Sequence, residues 1–312
     1  MTQRPFYANS IFLTLIACFL WSTSFASIKI GLQYTFPLQF AGIRFMLSGL
    51  IILPFCKDFR KELLIVRRNA GKVLLISLFQ TAILYIFFYL GMDRTPASIG
   101  AIVVGGGPLF VALLAHFITG RDPLTLKKTI AILTGFSGIV LLTLPRDSSF
   151  RDQFTLLTGI GFLVIGNIAG SYGNILVSQN RTGISPVFLN ALQIFTGGFL
   201  ILIVSFFFEG FSFSPKPLPY YLSLAWLGVL SAVAFSLWFV VLNRPEVRVS
   251  EITIWKFIIP VLGAIISWLL IEGEKPQWHT LLGMFLIAIS IIIIYGRFAK
   301  DRSVPRNHII LR

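Results

Sequence analysis

Long runs of apolar residues, each ended by charged residues, proline or glycine, dominate the sequence. They form a first set at 10–30, 38–56, 73–92, 97–119 and 129–144, and a second set at 155–178, 187–208, 219–242, 249–271 and 278–296. These lengths are close to the roughly 20 residues that an α-helix needs to cross a hydrocarbon layer. The pattern predicts an all-α integral membrane protein with ten transmembrane helices.

The composition agrees with a bilayer as the solvent. Of 312 residues, 56% are hydrophobic and only 12% are charged, whereas a soluble domain has about a quarter of its residues charged. The net charge of +14 raises the question of nucleic acid, but the basic residues lie between the apolar runs and lack the motifs of nucleic-acid recognition. We therefore expect a lipid bilayer, and no nucleic acid, as partner.

The distribution of Lys and Arg predicts the orientation. If the N-terminus is cytoplasmic, eighteen basic residues fall on the inner side, six of them in the segment 57–72, and five on the outer side. Cytoplasmic loops carry such an excess. We predict a multi-pass protein of the cell (inner or plasma) membrane, with a cytoplasmic N-terminus at 1–9 and a basic cytoplasmic tail at 297–312. The sequon at Asn180 then lies in a cytoplasmic loop and is a chance match.

The second set of runs repeats the first. Shifts of 149 and 152 residues align prolines and small residues: Pro37 with Pro186, Gly49 with Gly198, Ser98 with Ser250 and Pro108 with Pro260. Each half has an odd number of predicted helices, so the second half enters the membrane from the opposite side. The sequence predicts two inverted five-helix repeats, 10–144 and 155–296, an architecture common among secondary transporters.

Several of these stretches together resemble the EamA-like type of the drug/metabolite transporter superfamily. They are Phe19–Phe25, Pro37–Gly49 with its Arg44, Gly107–Phe110, and Ile259 to Glu274. The resemblance covers about 10–296. It implies a carrier of small metabolites, often an exporter, with a central cavity lined by helices three, four, eight and nine and parts of one and six. It implies no particular solute, because the superfamily spans amino acids, sugars, nucleotide conjugates and drugs.

Proline and glycine interrupt two matched helices near their centres. Gly107 and Pro108 lie mid-way along the fourth run, and Pro260 mid-way along the ninth. Proline has no amide hydrogen, so the carbonyl four residues earlier, that of Val104 or Lys256, loses its helical partner. Interrupted helices at corresponding positions point to a transport site, although a simple packing kink is the alternative. We predict that both helices bend there and approach each other.

Lys256 is the charged residue of greatest interest. It lies seven residues into the ninth run, on the helical face of Pro260, Gly263 and Ser267, which we expect to face inward. A lysine at this depth needs hydration or a partner. Two interpretations stay open: Lys256 binds an anionic group of the solute in the cavity, or its flexible stem reaches back to the cytoplasmic surface.

Arg44 lies inside the second run, and its repeat partner is the neutral Gln193. This mismatch favours a structural role for Arg44, bonding helix ends or carbonyls. Other polar or aromatic candidates for the cavity are Trp21, Tyr85, Asn174 and Trp238, followed by Ser24, Gln80, Tyr89 and Asn167. For each, a hydrogen bond between helices or a place in the interfacial aromatic belt is the alternative. A shift of 153 superposes Tyr85 on Trp238, which suggests paired walls.

The functional prediction is a secondary transporter of small metabolites, such as amino acids or related solutes, working by alternating access around a midplane cavity. A passive facilitator or channel stays open. An intramembrane enzyme is disfavoured, because the sequence has no nucleophile elbow, acid pair or phosphate loop. No metal or cofactor is expected, the partner is a small-molecule solute, and the chain is a monomer or homodimer. No carboxylate lies deep in a run, which predicts weak dependence on a proton gradient.

Overall fold

Helices form all the regular secondary structure of the residues described. The computed structural model describes residues 10–119, 125–141, 150–180, 182–244, 247, 252 and 254–295. The all-helical prediction is confirmed for this part of the chain. The predicted cytoplasmic N-terminus 1–9, the basic tail 297–312 and Arg181 of the sequon lie outside it.

The helices occupy the predicted apolar segments. The first half contains α1 (Ser10–Leu32), α2 (Pro37–Ile52), α3 (Phe59–Arg68), α4 (Ala70–Ser77), α5 (Leu84–Arg94), α6 (Ala97–Gly105), α7 (Gly107–Thr119) and α8 (Leu126–Leu141). The second half contains α9 (Phe150–Ser178), α10 (Pro186–Phe208), α11 (Leu218–Leu242), α12 (Ile258–Leu270) and α13 (Trp278–Tyr295). Helix ends differ from the predicted ones by a few residues in most cases.

Six stretches are long and apolar enough to cross a membrane: Ser10–Leu32, Pro37–Phe55, Ala70–Arg94, Asp152–Ser178, Pro186–Phe208 and Leu218–Leu242. Four shorter helices are also apolar: Ala97–Val111, Thr129–Leu141, Ile258–Leu270 and Trp278–Ile293. Large apolar side chains lie on the outer surface of the bundle, for example Leu269, which is 77% exposed. A surface of this kind suits lipid and not water.

The basic segment 57–72, which the charge pattern suggested as a loop, contains the amphipathic helix α3. Its basic side chains face outward, while the ring of Phe59 packs edge-on against that of Phe188 in α10, with 5.3 Å between centroids. Alternation of basic and apolar residues at helical spacing explains why this connection is helical. Such a helix fits the boundary between lipid and water.

Two of the predicted helices are interrupted. The fourth divides into α6 and α7 at Gly106, where the helical hydrogen bonding gives way to a turn. The predicted α-helix over 249–271 is interrupted at Ile254–Phe257, which form a 3-10 turn, and α12 begins at Ile258. Pro260 offers no amide hydrogen to the carbonyl of Lys256, which loosens this turn.

The interrupted helices pack closely on each other, as predicted. A Cβ atom added to Gly105 would lie 2.4 Å from Cγ of Pro260, and one added to Gly263 would lie 2.8 Å from Cβ of Ala101. Pro260, Gly263 and Ser267 are all buried, which agrees with the inward face predicted for them. Glycine at these two positions therefore permits the close approach of α6 and α12.

A third irregular helical segment is not predicted by any pattern in the sequence. The residues Leu78–Ile83, which join α4 to α5, form a π-helical segment. Such segments insert an extra residue into an α-helix and often lie at functional sites. Here the segment carries Gln80 and Thr81, which are both buried.

Candidate functional site

A central cavity lies where the interrupted helices meet α1, α5, α9 and α11. It contains about 930 Å³ of space between atoms, including the part open to solvent. The lining comes from the helices that the resemblance implies, with Arg44 of α2 in addition. An internal cavity lined by side chains of several helices suits a small molecule and excludes a folded macromolecule.

Most of the predicted site residues line this cavity. They are Trp21, Arg44, Tyr85, Gly107, Pro108, Asn174, Trp238 and Lys256. Pro260 lies elsewhere, because its ring fills the space beside Gly105 in the contact between α6 and α12. The cavity thus collects side chains from parts of the chain far apart in sequence.

The Lys256 ammonium lies against two indole rings that are in edge contact with each other. Its Nζ is 4.0 Å from the ring centroid of Trp238 and 5.0 Å from that of Trp21. Trp21 is the middle residue of α1, and Trp238 is fully buried, so the lysine points into the bundle. The faces of aromatic rings attract a cation and so stabilise the charge where water is scarce.

A chain of hydrogen bonds orients one of these rings. Nε1 of Trp238 donates to Oδ1 of Asn174 at 2.9 Å, and Nε2 of Gln80 donates to the same oxygen at 3.4 Å. Asn174 on α9 therefore connects the π-helical segment with α11. By fixing the indole plane of Trp238, it also fixes the surface on which Lys256 rests.

Polar residues of α9 supply partners for the backbone at the α6/α7 break. Nδ2 of Asn167 donates to the carbonyl of Val103 at 2.8 Å, and Oγ of Ser171 donates to that of Gly107 at 3.4 Å. The sequence pointed to the neighbouring carbonyl of Val104. Asn167 therefore does not supply the predicted partner of Val104, and the carbonyl of Val103 also accepts from the amide of Gly106 at 3.1 Å.

Arg44 is 2% exposed and serves a network between helices. Its Nε and Nη2 donate to Oγ of Ser231 at 3.0 and 2.8 Å, and its Nη1 donates to the hydroxyl of Tyr89 at 2.6 Å. The prediction of bonds to helix ends or carbonyls is wrong, because the partners are hydroxyl groups of α11 and α5. These bonds do connect three helices, which is a structural role.

Sequence reasoning missed the aromatic part of the lining. Phe25, Phe88 and Phe235 line the cavity beside Tyr85 and Trp21. The chain has 31 phenylalanines, and in an apolar helix a cavity-facing phenylalanine has the same sequence context as a lipid-facing one. Asn167, one of the further polar candidates of the sequence, does line the cavity.

Comparison with known proteins gives consistent relatives. The Bacillus subtilis protein named uncharacterized transporter YvbV is 22% identical over 304 residues, covering 97% of this chain and 96% of the relative. The S-adenosylmethionine/S-adenosylhomocysteine transporter of Chlamydia trachomatis is 24% identical over 316 residues, covering 98% and 94%. The chain therefore spans nearly the whole length of both relatives.

The fold and the family also match. A solved crystal structure superimposes with a TM-score of 0.67 at 17% identity, covering 95% of this chain and 99% of that one. The pattern of the EamA-like transporter family matches residues 8–144 and again residues 157–296. With apolar helices throughout, a central cavity and two matches that cover most of the sequence, this chain is a multi-pass membrane protein that belongs to the EamA-like transporter family.

Proposed function

We propose that this protein is a secondary transporter that exports small metabolites, such as amino acids or related solutes, by alternating access around the central cavity. The observation that carries the proposal is the position of the cavity at the two interrupted helices, where freed backbone groups and polar side chains meet inside the bundle. The relative named as an S-adenosylmethionine transporter supports a small-molecule solute. Lys256, Trp21, Trp238, Tyr85 and Asn174 are the proposed solute contacts, with Gly107 and Pro108 beside them.

The proposed architecture is ten spans in two inverted five-helix repeats. The six long stretches and the four shorter apolar helices together account for ten. The short ones belong to the fourth, fifth, ninth and tenth predicted spans. The fourth reaches full length when α6 and α7 are taken together across the break at Gly106.

Reciprocal packing supports the repeat. If α1 corresponds to α9 and α5 to α11, the contact of α1 with α11 has its counterpart in the contact of α9 with α5, and both contacts are extensive. Three further large contacts join corresponding helices directly: α2 with α10, α6 with α12, and α8 with α13. This set is the one expected of two halves related by a pseudo-twofold axis.

Two carboxylates show the same reciprocity. Glu209, which follows α10, accepts hydrogen bonds from the amides of Leu38 and Gln39 at 3.0 and 3.2 Å, at the start of α2. Glu62, which lies beyond α2, accepts from the amide of Ser185 at 3.1 Å, at the start of α10. In each case one repeat supplies a negative charge to a helix N-terminus of the other, which is a favourable position for it.

The decisive experiment is counterflow in proteoliposomes. Cells with and without the protein are first compared for the metabolites they retain, and the candidate solute is then loaded on one side of reconstituted vesicles. A carrier accumulates labelled solute transiently against its own gradient when unlabelled solute leaves. A passive channel only equilibrates it, and this result would reject alternating access.

The proposed topology is tested by cysteine labelling. Single cysteines at Lys61 and Asp147 are treated with an impermeant maleimide in intact cells, and the proposed cytoplasmic side of 57–72 predicts labelling at 147 alone. Labelling at 61 would reject the inverted-repeat arrangement together with the orientation.

A further inference from the structure

Among the described residues, the charged side chains that line the cavity are all positive. Its lining residues include Arg44 and Lys256 and no Asp or Glu. The three donor nitrogens of Arg44 already have acceptors in Ser231 and Tyr89. Lys256, by contrast, forms no hydrogen bond or ion pair with another described residue: its Nζ lies over the rings of Trp21 and Trp238, and the Cys18 thiol is near enough to interact with it electrostatically.

A second hydrogen-bond donor lies in the same part of the cavity as Lys256. The indole Nε1–H of Trp21 is buried and has no acceptor among the described residues, while that of Trp238 donates to Asn174. Nζ of Lys256 lies 5.0 Å from the Trp21 ring, so the two donors are neighbours. A buried donor without an acceptor is rare in proteins and destabilising.

Neither Nζ of Lys256 nor Nε1 of Trp21 has a hydrogen-bond acceptor among the described residues. A ring face stabilises an ammonium but accepts only weak hydrogen bonds, so three strong donor positions of Lys256 are unused. A carboxylate supplies two oxygens and one negative charge, and it forms the short charge-assisted bonds that a lysine favours. A cationic group at the same place would face like-charge repulsion.

Resting on the proposed transport function, we infer that the transported solute carries a single carboxylate, which binds Nζ of Lys256 and accepts a second hydrogen bond from Nε1 of Trp21. Nε1 of Trp21 is covered in this structure, so the second bond requires the carboxylate to displace the atoms that cover it. The two indole rings lie on the same side of the resulting ion pair and shield that side from water.

The rest of the cavity selects against a more highly charged anion. Phe25, Phe235 and Val104 give it an apolar wall, which suits an uncharged or aromatic body. A phosphate monoester carries close to two negative charges at neutral pH. Arg44, the other cation of the lining, already donates to Ser231 and Tyr89, so a second negative charge beside Lys256 has no strong donor of its own in an apolar site, which is unfavourable. A monocarboxylate fits this balance of charge.

The test compares carboxylates with their neutral amides. Acetate, butyrate and phenylacetate are titrated, each beside its primary amide at constant ionic strength, into the full chain purified in detergent. Binding is read from the unfolding temperature and from tryptophan fluorescence. We expect at least one carboxylate to half-saturate the protein at a concentration about tenfold to a hundredfold lower than its amide, the factor that one charge-assisted hydrogen bond gives.

Variants assign the preference to the two donors. Lys256→Met, which keeps the stem, should abolish the preference, and Lys256→Arg should restore most of it. Trp21→Phe, which keeps a ring and removes the N–H, should weaken carboxylate binding by about fivefold to tenfold. The matched controls are Lys216→Met and Trp226→Phe, whose Nζ and Nε1 lie outside the cavity and bond to Ser212 and Thr23. Both should keep the full preference.

Three results would overturn the inference: equal binding of acid and amide, an unchanged preference in Lys256→Met, or no saturation by any of the carboxylates. The counterflow experiment is independent of these three results, because it uses the solute found by metabolite comparison. If the protein shows counterflow but no preference for carboxylates over amides, the transport function stands and only the proposed roles of Lys256 and Trp21 are wrong. If Lys256→Met fails to fold, Lys256→Gln and the Trp21→Phe titration still decide the question.

Discussion

The Glu274 carboxylate accepts hydrogen bonds from both the hydroxyl and the amide of Ser98, at 2.6 and 2.9 Å. Glu274 follows the end of α12, and Ser98 lies in the first turn of α6. The two helices are therefore held together at this end by the carboxylate and at the other by the contact of Gly105 with Pro260.

We predict that Glu274→Gln destabilises the protein. The amide keeps the shape but has one oxygen and no charge, so it loses the charge-assisted bond to the hydroxyl and the interaction with the helix N-terminus. The expected loss in the free energy of unfolding is about 1–2 kcal/mol, measured by denaturation in detergent. Glu272→Gln is the control, because Glu272 is exposed two residues away. Equal stability of the two variants would contradict a role for this contact.

Glu209 should make stability depend on pH. Burial raises the pKa of its carboxyl above the usual 4.5, although hydrogen bonds from Leu38, Ser205 and Gln39 lower it in part. A carboxyl whose pKa is raised in the folded state binds a proton more tightly there than in the unfolded chain. The stability that this proton contributes is present below about pH 4.5 and is lost as pH rises through the raised pKa.

The measurement is the unfolding temperature between about pH 4.5 and 7.5. We expect it to fall more steeply with pH in the natural protein than in Glu209→Gln, which imitates the protonated group and does not titrate. Parallel curves would show that this carboxyl does not titrate abnormally. Glu272→Gln should follow the natural curve, since the side chain it replaces is solvent-exposed.

The sequence predicts the parts of this fold that depend on repeated features. The positions and lengths of the apolar runs predict where the helices lie. The interruptions of two helices are predicted by Gly105–Pro108 and by Pro260. The π-helical segment at Gln80 could not be predicted, because it contains no proline or glycine that would mark it in the sequence. The same holds for the partners of Arg44: a buried guanidinium demands acceptors, but only the fold shows that these are Ser231 and Tyr89.

The contact of α6 with α12 should be intolerant of a side chain at Gly105. A Cβ atom there would lie 2.4, 2.6 and 2.7 Å from three atoms of the Pro260 ring, and a proline ring has little freedom to move. We expect Gly105→Ala to cost about 1–3 kcal/mol in the free energy of unfolding, as overpacking does. Gly161→Ala in α9 is the matched control, because nothing lies within 4 Å of its added Cβ. A tolerated Gly105→Ala would mean that the two helices separate readily.

Transport should depend only weakly on a proton gradient. The cavity lining contains no Asp or Glu, the groups that most often carry protons through membrane carriers. In proteoliposomes loaded with the solute found by metabolite comparison, collapse of the pH gradient at constant membrane potential should leave the initial rate within about twofold. This prediction fails if removal of the pH gradient alone stops transport, and a proton-carrying group must then be sought outside the described lining.

Arg44 provides the last prediction, because its two possible roles give different results. Ser231→Ala removes the acceptor of Nε and Nη2 while leaving the guanidinium and its bond to Tyr89 in place. A buried cation that loses an acceptor lowers the free energy of unfolding by about 1.5–3 kcal/mol. We expect this loss in Ser231→Ala, with the half-saturating concentration of the solute unchanged. Ser137→Ala is the control, since its hydroxyl is exposed and bonds only within α8, to the carbonyl of Leu133. If the stability of Ser231→Ala is normal and solute binding changes by tenfold or more, Arg44 contacts the solute and its assignment as a structural residue is wrong.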